Sequence, residues 1–204
     1  MALHIALTGG IACGKSMAER CFAEAGCRVL DADQVVRELE APGGAAVEAI
    51  VQHFGETVRA RDGGIDRVAL ASIVFNDKSA RQALESILYP MLKNVIAQWL
   101  SKEKPEDISL FSAALLFECD WAKDWPHVVC VVASEATQLR RMMQHRQMSE
   151  SDARARLSAQ MPIAEKASLA DAIIYNDVDD INPLKEQIQQ LVSQWRKNAQ
   201  SFNH

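Results

Sequence analysis

Apolar positions along the chain follow two rhythms. Short, nearly unbroken apolar runs stand at residues 3–7, 27–30, 108–114, 127–133 and 171–175. Between them, apolar residues recur three and four apart. Brief continuous runs read as strands, residues 3–7 as a short buried one, and the intervening spacing reads as amphipathic helices. Strands alternating with helices predict an α/β fold around a parallel sheet. The predicted helices cover Lys15–Ala25, Gln34–Glu40, Ala45–Phe54, Arg67 to about Phe75, Ser79–Ser101 with an interruption at Pro90, and Pro183 to about Asn198. Gly26 stands where a C-terminal cap is expected. The last helix would bury Leu184, Ile188, Leu191, Val192 and Trp195, and residues 200–204 are expected to fray.

Residues 41–105 break the strand–helix alternation. Pro42-Gly43-Gly44 ends one helix, Asp62-Gly63-Gly64 supplies turn chemistry, and everything else there has helical spacing. An all-helical excursion between the second and third strands reads as an acceptor-binding insertion. Residues 136–168 carry two helical segments separated near Met148, the second opened by Ser149-x-x-Asp152. They bear Arg140, Arg141, Arg146, Arg154 and Arg156, which suits a lid whose guanidinium groups neutralise phosphate charge. The plain alternative is a solvated charged face. The expected organisation is one domain, with a core of about 1–40, 106–135 and 169–204, an insertion of about 41–105 and a lid of about 136–168.

Composition changes this picture little. At 204 residues, 49% apolar and 24% charged, the chain has the means for a buried core. A net charge of −5 argues against a broad nucleic-acid surface. Cys13, Cys21, Cys27, Cys119 and Cys130 are scattered, with no metal-ligand spacing, and are expected to be reduced thiols in a cytoplasmic protein. No 18-residue apolar run suggests a membrane span, and the apolar start lacks the basic segment of a signal peptide. A monomer or weak homo-oligomer is expected.

Chemistry enters at Gly9-x-x-x-x-Gly14-Lys15-Ser16, which follows a predicted strand and opens a predicted helix. That context makes the pattern a phosphate-binding loop. Glycines let the backbone turn its amides inward, and the helix N-terminus adds donors and a positive dipole end. Lys15 would reach the β- and γ-phosphates of a nucleotide, and the Ser16 hydroxyl would ligate Mg²⁺. Asp31-Ala32-Asp33 closes the second strand, at the sheet edge where ligands of open α/β folds bind. If the strand stays extended the two carboxylates share a face. The alternative is that one of them caps the next helix. Glu118, after the third strand, is a further candidate acid, and Arg67 a candidate partner for an acceptor phosphate.

These residues, in this order, resemble the dephospho-CoA kinase family. The resemblance runs through Leu7-Thr8-Gly9-Gly10-Ile11, Gly14-Lys15-Ser16, Asp31-Ala32-Asp33, Asp66-Arg67, Leu115-Leu116-Phe117-Glu118, Gln138-Leu139-Arg140-Arg141, Arg156 to Pro162 with Lys166, and Asn176. It implies a three-layer P-loop NTPase fold with a central parallel sheet, a helical acceptor-binding insertion and a helical lid. The implied activity is transfer of the ATP γ-phosphate to the ribose 3′-hydroxyl of dephospho-CoA. Asp33 would then accept or orient that hydroxyl, with Lys15 and Arg141 stabilising the transferring charge. ATP would lie on Gly10, Ile11, Ala12, Cys13, Gly14, Lys15, Ser16 and Met17, with Asn176 near the adenine. Thr8, Asp31, Asp33, Arg67, Leu115 and Glu118 would face the acceptor. Three positions depart from the family pattern: Tyr89 stands for a histidine, Ala114 for a proline, and His145 for a lid arginine. Cys13 occupies a loop position usually held by a small residue, which makes an oxidation-sensitive site conceivable.

Three rival readings remain. A nucleoside monophosphate kinase would share loop, insertion and lid, but Asp31-Ala32-Asp33 and Gln160-Met161-Pro162 argue against it. A regulatory GTPase should carry Asn-Lys-x-Asp, which is missing; Asn76-Asp77-Lys78 has the wrong order. A structural protein with an inactive loop is disfavoured by the joint presence of Lys15, Ser16 and Asp33.

Overall fold

The computed structural model describes residues 2–75 and 77–201, without the side chains of 199–201. The expected fraying concerns a segment whose last three residues lie outside this range. Strands β1 (Leu3–Gly9), β2 (Arg28–Asp31), β3 (Ile108–Ser112), β4 (Val128–Val132) and β5 (Ala172–Tyr175) form a five-stranded parallel sheet in the order β2-β3-β1-β4-β5. Leu3 pairs with Ile108 and Leu7 with Ser112 on one side of β1, and Ala6 with Val128 on the other. Val129 pairs with Ala172 at the outer ladder. Residues Ile5 to Leu7 have no exposed surface, as expected for a strand covered on both faces.

Helix α1 (Lys15–Glu24) follows the glycine loop, and α9 (Asn182–Ser201) packs beside it. Phe22 and Trp195 stack with ring centroids 6.0 Å apart, worth about 0.5–1.5 kcal/mol beyond the area buried. Cys21, Leu184, Ile188 and Val192 complete this core against Ile5, Leu7 and Val131. Phe111 stacks on Trp125 at 4.8 Å and meets Trp121. Helices α6 (Glu135–Arg146), α7 (Glu150–Ser158) and α8 (Ile163–Ser168) occupy the stretch between β4 and β5. The sequence predicts only the first two. Pro162, standing before the first residue of α8, fits that start without losing a needed donor.

The chain divides into two compact units, one running to Leu30 and resuming at Glu103, the other spanning Asp31–Lys102. Apart from Asp31, the last residue of β2, and one antiparallel bridge between Arg59 and Ile65, the second unit is helical in its described regular structure. It holds α2 (Ala32–Leu39), α3 (Val47–Phe54), α4 (Arg67–Val74) and α5 (Lys78–Leu100). Ile50, Val51, Val58, Ile65 and Leu70 form its own core, with Leu84 and Leu88 against it. Asp66 and Asp77 accept the first free amides of α4 and α5, which fixes both helix starts. Helix α5 runs unbroken through Pro90, where the sequence predicts an interruption. Twenty-three residues with packing on one side outweigh the one hydrogen bond proline removes.

Candidate functional site

The phosphate loop is shaped by side chains that arrive from far along the sequence. Gln138 Nε2 donates to the Ile11 carbonyl at 2.7 Å, Arg141 to the Ala12 carbonyl at 3.3 Å, and Asn176 Nδ2 to the Cys13 carbonyl at 2.8 Å. Three consecutive carbonyls are thereby occupied from the side of α6 and the end of β5. Ala12 takes a positive φ of 59° and Gly14 one of 91°. The chain reverses at these two residues before Lys15 starts α1. Ser16 and Met17 are exposed on the first turn of that helix.

Lys15 Nζ donates to Glu19 Oε1 and to Ser112 Oγ, each at 2.8 Å, and Ser112 Oγ also donates to Glu19. Its side chain is 11% exposed. Glu19 and Ser112 help to fix the orientation of this lysine at the mouth of the loop. Neither Glu19 nor Ser112 carries a signal in the sequence; one is an ordinary helix acid, the other a small polar residue within the apolar run 108–114.

Arg141 is the arginine that meets the loop. Its side chain is 13% exposed and also donates to the Val178 carbonyl at 2.9 Å. Arg140 makes a bidentate pair with Asp179 at 2.8 Å. Arg154 pairs with Glu135 and Glu150, while Arg146 and Arg156 are exposed. The solvated-face alternative therefore describes Arg154, and the expected group of five phosphate-neutralising arginines is not assembled here. His145, standing where the family has a lid arginine, is exposed near the end of α6.

Cys13 has no exposed surface, and burial pushes its thiol up to about 11. Reactive cysteines are partly exposed and have lowered values, so the oxidation-sensitive reading of Cys13 is corrected. Thr8 is equally buried, and its hydroxyl donates to the Ala114 carbonyl at 3.4 Å. It joins β1 to the turn after β3 instead of presenting a hydroxyl to an acceptor. Glu118 also turns inward. Its Oε1 lies 2.8 Å from Lys166 Nζ and accepts the Met161 amide at 3.1 Å. Leu115, in the same turn, is 46% exposed.

In the helical unit, Asp31 and Asp33 do not share an extended face. Asp31 caps α2, accepting the Asp33 amide on Oδ1 at 2.9 Å, and the helix begins at Ala32. The capping alternative thus describes Asp31. Asp33 is exposed in the first turn of α2, where the helix dipole favours a carboxylate. Arg67 Nε lies 2.9 Å from Glu40 Oε2. The Glu40 side chain is 8% exposed against 46% for Arg67. Burial raises the Glu40 carboxyl above its ordinary value, and Arg67 pulls it part of the way back. Glu40 carries no signal in the sequence, where it reads as the polar end of an amphipathic helix.

Among the described residues, no group of three His, Cys, Asp or Glu side chains is arranged to hold a metal ion. A Mg²⁺ ion that arrives with a nucleotide needs few protein ligands, because phosphate oxygens and waters fill the rest of its octahedron. Exposed Ser16, at the head of α1, suits that minimal role.

Comparison with known proteins agrees with this architecture. Residues 3–181 match the family model for dephospho-CoA kinase. A dephospho-CoA kinase of Geobacter sulfurreducens is 41% identical over 85% of this chain and 89% of its own length. One from Halalkalibacterium halodurans is 37% identical over 95% and 97%. Among solved structures, a Thermus thermophilus protein superposes with a TM-score of 0.82 at 29% identity, covering 95% of this chain and 97% of its own. With a glycine loop held as described and relatives that align along nearly its full length, this chain belongs to the dephospho-CoA kinase family.

Proposed function

We propose that this protein transfers the γ-phosphate of ATP to the ribose 3′-hydroxyl of dephospho-CoA, giving coenzyme A and ADP, the last step of coenzyme A synthesis. The observation that carries the reading is the loop from Gly10 to Ser16. Its carbonyls are held by Gln138, Arg141 and Asn176, and Lys15 is fixed at its mouth.

Phosphoryl transfer needs positioning and charge neutralisation more than covalent chemistry. Loop amides and the N-terminus of α1 favour the β-phosphate. Lys15, which already holds a carboxylate in its present orientation, would exchange part of that contact for phosphate oxygen. Arg141 lies against the loop at Ala12 and would add positive charge beside the phosphates. Mg²⁺, held by Ser16 together with the phosphates, would supply further neutralisation of oxygen charge. Asp33 is the candidate for orienting the acceptor hydroxyl and taking its proton. Arg67, steadied by buried Glu40, is the candidate for an acceptor phosphate. None of the described helices is long and apolar enough to cross a membrane, and a small-molecule acceptor suits the net charge of −5 better than a nucleic acid.

ADP release from MgATP with dephospho-CoA, beside adenosine, CMP and acceptor-free controls, tests the reading. Release that requires dephospho-CoA, with product co-migrating with coenzyme A, is expected. Equal or better activity on a nucleotide acceptor would overturn it.

A further inference from the structure

Lys166, on α8, has a side chain with no exposed surface. A buried ammonium persists only where its donors find acceptors. Its Nζ donates to the Ala114 carbonyl at 2.7 Å and lies 2.8 Å from Glu118 Oε1. That same carboxylate oxygen accepts the backbone amide of Met161 at 3.1 Å. The neighbour of Met161 is Gln160, and its Oε1 accepts the Ile11 amide at 3.0 Å. Ile11 is therefore gripped twice by glutamines, its carbonyl by Gln138 and its amide by Gln160.

We propose that Gln160 is a positioning residue for phosphoryl transfer, and that the Lys166–Glu118 pair is the anchor that keeps it on the Ile11 amide. This deepens the kinase reading and rests on it. Gln160 lies in the short connection between α7 and α8, its backbone amide donating to the Leu157 carbonyl at 3.2 Å. Pinning the Met161 amide to Glu118 fixes the backbone next to Gln160. Lys166 keeps the Glu118 charge compensated and ties the arrangement to the turn after β3. The effect falls on Ile11 because the loop reverses at the next residue, Ala12. The tilt of the Ile11 peptide sets how the following amides meet phosphate. A neutral glutamine makes this contact without bringing negative charge beside the nucleotide, which a carboxylate would do.

Amide exchange at Ile11 in the nucleotide-free protein, measured by NMR beside steady-state kinetics, tests the proposal with four variants. Gln160→Leu keeps the bulk and removes the acceptor. It is expected to speed Ile11 exchange and lower kcat by about fivefold, the scale of one lost hydrogen bond. The KM for dephospho-CoA should stay within about twofold of wild type. Gln160→Glu keeps the acceptor, so Ile11 stays protected while the KM for ATP rises. Glu118→Ala should reproduce both effects of Gln160→Leu, and the double variant should be no slower than either single one. Wild-type Ile11 exchange in Glu118→Ala, unchanged kcat in Gln160→Leu, or losses that multiply in the double variant would each overturn the proposal. If Glu118→Ala does not fold, Lys166→Met with Glu118→Leu, which removes the charge and the acceptor together, replaces it and carries the same expectations. Failure of the wild-type protein to use dephospho-CoA would remove the kinase reading, and the exchange measurements would still report separately on the anchor.

Discussion

Asn176 stands where any side chain on Gly14 would have to go. A Cβ built on Gly14 would lie 2.1 Å from Asn176 Nδ2, the atom that donates to the Cys13 carbonyl. Gly14 also has a φ of 91°, which side-chain-bearing residues rarely adopt. Gly14→Ala must therefore break the Asn176 contact and strain the backbone together. A stability loss of about 1–3 kcal/mol is expected. Thermal unfolding should show it, and ADP should no longer raise the melting temperature of the variant.

Asp33 carries the proposed proton transfer, while Asp31 carries a helix cap. Asp33→Asn should retain ATP binding and lose turnover by about 10²–10⁴-fold. Asp31→Ala should lose about 1 kcal/mol of stability through the cap, and Asp31→Ser should restore most of it. Near-normal turnover in Asp33→Asn, measured by coupled ADP release, would remove that residue as the base.

The Arg67–Glu40 pair predicts a pH-dependent defect. Burial raises the folded-state value of Glu40 above its ordinary one, so the folded protein holds this proton more tightly than the unfolded chain. Stability from that protonated form is present below the ordinary carboxyl range and is lost as pH rises through the folded value. Arg67→Ala removes the cation that offsets the rise, leaving a buried carboxylate unpaired at neutral pH. The expected loss is about 3 kcal/mol at pH 8 and distinctly less at pH 5. Urea unfolding at the two pH values checks it, and adding Glu40→Gln should recover most of the deficit.

Cys13, Cys27 and Cys130 have thiols pushed up to about 11, 11 and 12 by burial. In the native protein they should resist alkylation at pH 7.5 for hours, whereas Cys119, which is only half-buried, should label. Labelling sites read by mass spectrometry, with and without urea, test this. Rapid native modification of Cys13 would show that the loop opens.

The legible parts of this protein were local, and the illegible parts were made by distance. Gly14, Lys15 and Ser16 announce themselves because a strand, a glycine turn and a helix must occur in that order within a few residues. Strands β1, β3 and β4 were equally plain, since strands covered on both faces need unbroken apolar runs; the edge strands β2 and β5 share the apolar run but are only part-buried, with Tyr175 exposed. Asp31 was ambiguous because Asp before a helix-forming stretch fits a strand end and a cap alike; only the Asp33 amide decides it. Pro90 misled, since proline was weighed against one hydrogen bond rather than against the packing of a whole helix. Glu19 and Ser112 meet across 93 positions, and Gln160 reaches Ile11 across 149. No periodicity or motif spacing encodes such pairs.

Gln138, Arg141 and Asn176 stand 127, 129 and 163 positions beyond the loop carbonyls they hold. A ribosome that has delivered this chain as far as β4 has already made the entire glycine–lysine–serine signature and the Glu19 and Ser112 contacts of Lys15, yet none of the side chains that hold the loop carbonyls. The held form of the loop is thus acquired late in synthesis, once Asn176 has been made. A chain that stops before Gln138 would carry the motif with none of these three carbonyl contacts.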